Sequence, residues 1–419
     1  MRKLIYNEAE LMIELIKTPK RVTLLMEQQP GKVCETGLAV GDKVKRGQKV
    51  GEAPDASTPS IHSPIAGEVK ETIPALTPEG HHTTAVVIEG GEADSEPTRG
   101  DENFLSSSAE ELRSRLLEAG VGALGFKGTA CFAPPLSVKV EREIETLIIS
   151  AIDEEPILIL NQQIVREHND ELRTGVELVR RVTGAKKVVV ATTPALKPKV
   201  GEHAVAIEPV YPNALPQMLI WRITGRPVYN SKEANDKGYA VLSAETVVSM
   251  VRALRDGIPV MEKVVTVQVE ASGPRNLRVP IGTPLFGVLK AVGCTLAQGD
   301  RVIMGGPMRG MAQFDPHMPV TKSTDAIVHQ RGHGVTRYLD MACIGCGACV
   351  KVCPMKIQVD MMTRYCEYSL LDNAKSYDLD ACIECGLCAF VCRAKRPLLQ
   401  FILFAKNEIQ RQEEELLEA

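Results

Sequence analysis

The 419-residue chain is poor in aromatic residues, 4% with a single Trp, and nearly balanced in charge, with 49 Lys+Arg against 53 Asp+Glu and a net charge of -4. Base stacking needs aromatics and phosphate tracking needs a basic surplus, so neither DNA nor RNA is expected as a partner. No apolar run approaches the roughly 20 residues that cross a bilayer, which predicts a chain without a transmembrane segment. The opening MRKLIYNEAELMIELIK mixes charges of both signs into its apolar residues and has no small-residue cleavage site, unlike a signal peptide. A cytoplasmic protein is the expectation. Cysteine is plentiful but uneven: eight of the 12 form two tight groups, Cys343 to Cys353 and Cys382 to Cys392, while Cys34, Cys131, Cys294 and Cys366 are scattered. Such grouping suits metal ligation in a reducing compartment better than disulfides.

The pattern along the chain predicts a multidomain α/β and α+β protein. Residues 1–95 carry Gly, Pro and short alternating runs such as VTLLM and TAVVIEG, the mark of small strands between turns. GDKVKRGQKVGEA and IHSPIAGEVKETI read as two hairpin-like halves and resemble the barrel-sandwich fold of lipoyl and biotinyl domains. A carrier role requires a Lys at a hairpin tip. The intervening DASTPSIHSP has none, so a structural, non-carrier use is expected. A polar linker, GGEADSEPTRGDEN, leads to a helix in SSAEELRSRLLEAG with a Ser N-cap and Gly120 at its end. Over 105–257, β-like runs (TLIISAI, ILIL, KKVVVAT) alternate with amphipathic helical stretches (QQIVREHNDELRTGVELVRRVTG, PNALPQMLIWRITG), which implies a largely parallel sheet. Residues 260–330 read as a β-grasp module: two strands joined by a Gly-Pro turn, then PIGTP and a short helix. A cysteine domain follows over 336–400, and 401–419 form a terminal helix.

The one clear internal repeat is ACIGCGACVKVC against ACIECGLCAFVC, in which Cys343, Cys346, Cys349 and Cys353 recur 39 residues later as Cys382, Cys385, Cys388 and Cys392. Intervals of two, two and three intervening residues hold 4Fe-4S cubes in two-cluster bacterial ferredoxins, where the fourth Cys of each run ligates the other cluster. The expected sets are therefore Cys343, Cys346, Cys349 and Cys392 for one cluster, and Cys382, Cys385, Cys388 and Cys353 for the other. Two zinc sites are the alternative, but four-cysteine zinc sites use paired Cys-x-x-Cys rather than triplets. Arg393, Lys395 and Arg396 after Cys392 place positive charge near a cluster, where it would stabilise the reduced form and could dock an acidic partner; a solvated basic turn is the alternative. Cys366 reads as a spare thiol.

Two further features are weaker. GVGALG spaces Gly120, Gly122 and Gly125 as G-x-G-x-x-G, but a dinucleotide fingerprint follows a strand and here a helix precedes it. Such a loop still lets backbone N–H groups approach a flavin phosphate, and a helix C-cap followed by a turn is the plain alternative. DEEP (Asp153, Glu154, Glu155, Pro156) closes an apolar strand, where open α/β sheets bind ligands. A solvated strand-end turn would look the same.

Taken in order, these residues resemble the RnfC family, the NADH-oxidising subunit of the Rnf ferredoxin:NAD oxidoreductase, and its relatives. The resemblance runs through GDKVKRGQ, SPIAGEV, the Gly loop, the acidic turn, YPNALPQMLIWRITGRPV, VPIGTP, VIMGGPM, PVTKST and the paired cysteine runs to RPLLQFILFAK. The α/β and β-grasp parts also resemble the flavin-bearing subunit of respiratory complex I. The resemblance implies two 4Fe-4S clusters, FMN and NAD(H), with hydride passing from NADH to FMN and single electrons on to the clusters. It places FMN and NADH at Gly120, Gly122, Gly125, Lys139, Asp153 and Glu155. It implies other redox subunits of a multi-subunit complex as partners, ferredoxin or a flavoprotein among them, and membrane association only through those partners.

This chain departs from the family in GVGALGFKGTACFAPPLSVKV, which is longer and has fewer glycines, and in Ser150, which stands where the family has Asn. The leading expectation is an NADH:acceptor oxidoreductase subunit. The alternative is an iron-sulfur relay that has lost its flavin and NADH sites, and a third reading treats the β-grasp module as a small-ligand binder.

Overall fold

Alternating burial along Arg21–Leu25 puts Val22 and Leu24 inside an antiparallel sheet of the computed structural model, ordered Arg21–Leu25, His82–Gly91, Ala66–Leu76 and Lys43–Val44. The structure describes every residue except 1–3, 6, 7, 9, 30, 56, 92, 93, 97, 126–132, 134–142, 271, 336–340 and 419. The segment between the two halves of this module is exposed at Asp55 but buried from Thr58 onward. Thr58, Ser60, His62 and Ser63 are buried, and the Ser60 N–H donates to the Leu117 carbonyl at 3.0 Å. That packing suits a structural use of the fold.

The next sheet is parallel throughout, ordered Ala204–Ala206, Lys187–Thr192, Thr146–Ser150 and Tyr239–Ser243. Leu147, Ile148 and Ile149 are all buried, as a strand covered on both faces requires. The helix Ala244–Arg255 starts where the Ser243 hydroxyl accepts the Thr246 N–H at 3.1 Å, and it packs on the helix Asn169–Thr183. A Cβ at Gly175 would collide with Val247, so the glycine sets that close approach. The ILIL run, expected as a strand, instead leads into the helix Leu160–Glu167, because the buried Asp153 carboxylate takes the Asn161 N–H at 2.8 Å and fixes the helix start there. Short apolar runs do not distinguish a buried strand from a buried helix. The helical stretch that follows is divided at His168, whose backbone is non-helical, into Leu160–Glu167 and Asn169–Thr183.

A six-stranded mixed sheet comes third, ordered Ile13–Leu15, Gly273–Pro280, Glu262–Val269, Ala326–Gln330, Arg301–Met304 and Met311–Gln313, with the helix Leu285–Ala291 packed on it. Its first strand comes from near the start of the chain and pairs parallel to Gly273–Pro280. The cysteine-rich part has short helices, Ala348–Val352, Val359–Glu367, Leu371–Lys375 and Leu387–Phe390, backed by the long helix Leu398–Glu418. Cys366 is fully buried in this part's core beside Met362, Leu379 and Ile402. Among the described residues no helix is long and apolar enough to cross a membrane.

A buried ionic group ties the second sheet to the third. Lys263, with no solvent exposure, reaches Asp325 at 2.8 Å and also Glu245, whose other oxygen accepts the Val264 N–H at 2.7 Å. Burial pulls the lysine pKa down, but Asp325 and Glu245 outweigh it and hold it above the ordinary value. Lys263→Met would leave two carboxylates buried without a cation and is expected to cost about 3–5 kcal/mol in chemical denaturation. A cost below about 1 kcal/mol would show the cation to be dispensable.

Candidate cluster and flavin sites

The cysteine repeat is also a repeat of backbone conformation. Gly345 and Glu384, Gly347 and Gly386, and Lys356 and Lys395 are pairs 39 residues apart, and all six have left-handed backbones with φ between 49° and 72°. These turns aim N–H groups at sulfur: Gly345 at Cys343, Glu384 at Cys382 and Leu387 at Cys385. Glu384 adopts a conformation that favours glycine, and its carboxylate is held by Lys406 at 2.9 Å, which also donates to the Cys382 carbonyl at 2.7 Å.

Cys343, Cys346, Cys349 and Cys392 line one small cavity, together with Ile344 and Arg396. This brings the fourth cysteine of the second run to the first triplet. In the other group, burial and then the neighbouring Cys382 and Cys353 push the Cys385 thiol upward, and burial and then Cys382 and Cys385 do the same to Cys388. Among the described residues no three His, Cys, Asp or Glu side chains converge on a point for a single ion, and the first group surrounds a cavity instead. The two groups differ in environment. The Gly345 N–H and the Arg364 guanidinium hold the Cys343 thiol below its usual range, whereas burial pushes Cys385 up to about 12. Iron binding would have to supply the thiolate state of the buried group. These eight thiols, with N–H groups directed at Cys343, Cys349, Cys382, Cys385 and Cys388, fit iron-sulfur cubes, which when bound supply one-electron carriers.

Arg396 is neither a solvated turn nor a docking charge. It is buried, paired with Glu367, 5.4 Å from the Phe401 ring centroid, and part of the first cavity wall.

The acidic turn is also buried rather than solvated, and all three acids have protein partners. Asp153 holds the start of the Leu160–Glu167 helix, and burial raises its pKa to about 6. Glu154 pairs with Arg309 at 2.7 Å, both nearly inaccessible. Glu155 accepts the Met308 N–H at 2.9 Å, while its other oxygen is buried without a hydrogen-bond partner, and burial lifts its pKa to about 7. The Gly306–Gly310 loop that supplies these contacts also touches the cysteine part: a Cβ at Gly386 would come within 2.5 Å of the Met308 carbonyl, and the Arg309 charge acts on Cys385. From the other side the Tyr211 hydroxyl donates to the Cys385 carbonyl at 2.5 Å. Sequence reasoning missed Arg309 and Tyr211 as functional residues, although Tyr211 lies in the family-like stretch YPNALP and Arg309 directly follows VIMGGPM.

Gly120, Gly122 and Gly125 do not form an open cradle. Of the six N–H groups from Gly120 to Gly125, four are donated within the protein: Gly120 to Leu117, Val121 to Leu116, Leu124 to the Thr246 hydroxyl and Gly125 to the Lys322 carbonyl. A Cβ at Gly120 would lie 2.5 Å from the Ser60 carbonyl, so this glycine serves packing on the first module. The buried Lys322 ammonium donates to the carbonyls of Ser60 at 3.0 Å and Gly120 at 2.6 Å, and burial lowers its pKa to about 8. Four of the six N–H groups are thus committed within the protein, and the spare Glu155 oxygen is an atom that a ligand could engage. Lys139 lies outside the described residues.

A two-cluster cysteine unit joined through buried acids and an arginine to a parallel α/β unit defines an electron-transfer subunit of a redox complex. Three family models match the chain: the RnfC barrel sandwich hybrid domain over residues 6–93, the Nuo51 FMN-binding domain over 119–252 and a 4Fe-4S dicluster domain over 336–393. The C component of the ion-translocating oxidoreductase complex of Rhodobacter capsulatus is 30% identical, over 96% of this chain and 80% of its own. The C component of the proton-translocating ferredoxin:NAD(+) oxidoreductase complex of Clostridium ljungdahlii is 29% identical, over 94% and 90%. Its Na(+)-translocating counterpart in Acetobacterium woodii is 28% identical, over 96% and 94%. Among solved structures, an NAD+-reducing nickel-iron hydrogenase in its H2-reduced state aligns over 68% of this chain and 55% of its own, with 16% identity and a TM-score of 0.40. The chain belongs to the RnfC family.

Cys346→Ala and Cys385→Ala are each expected to lower the iron content from about eight to about four per chain. Iron unchanged in either variant would break the assigned sets. The Glu155 carboxyl, raised by burial, is protonated more readily in the folded than in the unfolded chain. Its contribution to stability is fully present below the ordinary pKa of 4.5 and is lost as pH rises towards about 7. Glu155→Gln should flatten the fall in stability across that window, measured by denaturation at a series of pH values.

Proposed function

We propose that the chain passes electrons between a donor site at the acidic turn and a partner protein, using the buried cysteine group first and the surface group second. The observation that carries this reading is a gradient of exposure. Cys385 and Cys388 are buried beside the Arg309 loop, while Cys346 is exposed, with Ile344 at 57% and Phe390 at 61% exposure as apolar neighbours of the two cysteine runs. Cys382, Cys385, Cys388 and Cys353 would hold the inner cluster, and Cys343, Cys346, Cys349 and Cys392 the outer one. Arg309 would favour added negative charge at the inner set, and the apolar packing around Cys385 and Cys388 keeps water from it. The exposed apolar residues suit contact with another redox protein.

NADH is the proposed reductant, on family grounds, with the spare Glu155 oxygen as the group supporting a ligand at the turn. FMN, when bound, converts a two-electron donor into single electrons. Partners are proposed to be the other subunits of an Rnf-type complex, with ferredoxin or a flavoprotein at the far end, and the chain to sit peripherally on the cytoplasmic face through them. The proposed divisions are 1–95, 105–257, 260–330, 336–400 and 401–419.

A second reading, a relay without its own flavin, is favoured by the committed N–H groups of Gly120, Val121, Leu124 and Gly125. The two separate in one experiment on anaerobically purified protein. About one FMN and about eight irons per chain, with flavin and cluster absorbance bleached by NADH, are expected from the first. Iron near that level with no flavin after reconstitution, and no bleaching, would establish the second.

A further inference from the structure

A cavity of about 770 Å³ opens between the barrel-sandwich part, the helix Ala244–Arg255 and the hairpin Glu262–Val269 with Gly273–Pro280. Gly120, Gly122, Gly125 and the acidic turn do not line it, so it is separate from the donor site proposed above. Most charges around it are already matched. Arg46 pairs with Glu262 at 3.2 Å, Arg115 with Asp101 at 3.2 Å, and Lys263 belongs to Glu245 and Asp325. One wall is different.

There the His168 ring lies between two guanidinium groups. Arg252 Nη2 is 3.0 Å from its Nδ1, and Arg278 Nη2 is 3.4 Å from its Nε2. Burial, and then the Arg252 charge, hold the imidazole below its ordinary pKa, which disfavours a third positive charge between the two guanidinium groups. Glu171 faces this group but is shared: 3.5 Å from Arg252, 3.9 Å from Arg255 and 3.8 Å from His168. Asp256 is taken by Arg255 through two contacts of 2.8 and 2.9 Å. Of the three guanidinium groups, Arg252 and Arg255 are paired, with Glu171 and Asp256, while the Glu167 carboxylate also acts on the His168 ring. Arg278 makes no ion pair among the described residues, and its Nε is buried without a hydrogen-bond partner. Arg252 is itself held below the ordinary arginine value by burial and then by Arg278. Two partly desolvated like charges aimed at one space are unfavourable unless an anion joins them, and guanidinium forks match phosphate oxygens in pairs. The remaining wall includes Val248, Pro259, Val260 and Met261, and the volume lies in the range that takes a small organic ligand.

We propose that this cavity binds a phosphate-bearing small molecule of about mononucleotide size, with the phosphate between Arg252 and Arg278 and the apolar wall against the rest. The test uses the full chain with its clusters, titrated at constant ionic strength with inorganic phosphate, AMP or citrate by calorimetry and thermal shift. Saturable binding is expected, AMP tighter than phosphate, weakened about tenfold or more by Arg252→Gln and by Arg278→Gln and unaffected by Arg21→Gln in the remote sheet. In the unaltered protein, AMP should also protect Arg252 and Arg278 from phenylglyoxal, read by mass spectrometry, which keeps the test valid if either variant fails to fold. Absence of saturable binding, equal affinity in all variants, no protection of the two arginines, or citrate binding more tightly than AMP would each overturn the proposal.

Discussion

A lysine sealed from water must keep its counter-charges, and in this protein that requirement joins the parallel sheet to the mixed one. Lys263 stands on the Glu262–Val269 strand, Glu245 on the first turn of the Ala244–Arg255 helix and Asp325 just before the Ala326–Gln330 strand. Separating the two sheets would strand charges of both signs in an apolar interior, a cost far above that of parting two oily faces. Asp325 also lies beside Gly125, and Thr246 beside Leu124, so the ionic group and the helix cap position the glycine-rich segment together. The loop lies where it does because its hydrogen bonds are satisfied by the first module, the helix cap and the third sheet.

A second buried ionic contact connects the α/β part to the cysteine part. Glu154 and Glu155 reach Met308 and Arg309, and the same short loop presses its Met308 carbonyl against Gly386 between two cluster cysteines. Arg309 thus pairs with the acidic turn and acts on Cys385 at the same time. Glu155 is the poised member of this group, with one oxygen engaged, one free of hydrogen bonds and a carboxyl that titrates near neutrality. Such a carboxylate, close to a cluster and far from solvent, suits a site that handles protons and electrons together.

The Gly-rich segment shows how one motif can carry two meanings. Its glycines meet the spacing of a phosphate loop, yet Gly120 is required for contact with the Ser60 carbonyl and Lys322 grips the Gly120 carbonyl. Spacing reports where a side chain is absent. It does not report whether the space is left for a ligand or filled by a neighbouring domain.

The cysteine repeat, the parallel sheet, the barrel-sandwich module and the family were legible in the sequence, because each rests on local spacing or periodicity: intervals of two, two and three residues, apolar runs and turns. The repeat even extends to backbone conformation, since a cube needs the same N–H directions around each triplet. What could not be read locally was decided by partners distant in the chain. ILIL became the approach to a helix because Asp153 caps it, Arg396 was buried because Glu367 and Phe401 receive it, and Arg252, Arg278 and His168 met only when three elements packed. Sequence alone determined which residues recur at cluster-binding spacing and which form the sheets. The tertiary structure decided which charges are paired, which N–H groups are spent and which cations are left facing a cavity, because desolvation and Coulomb interaction depend on distances that only packing sets.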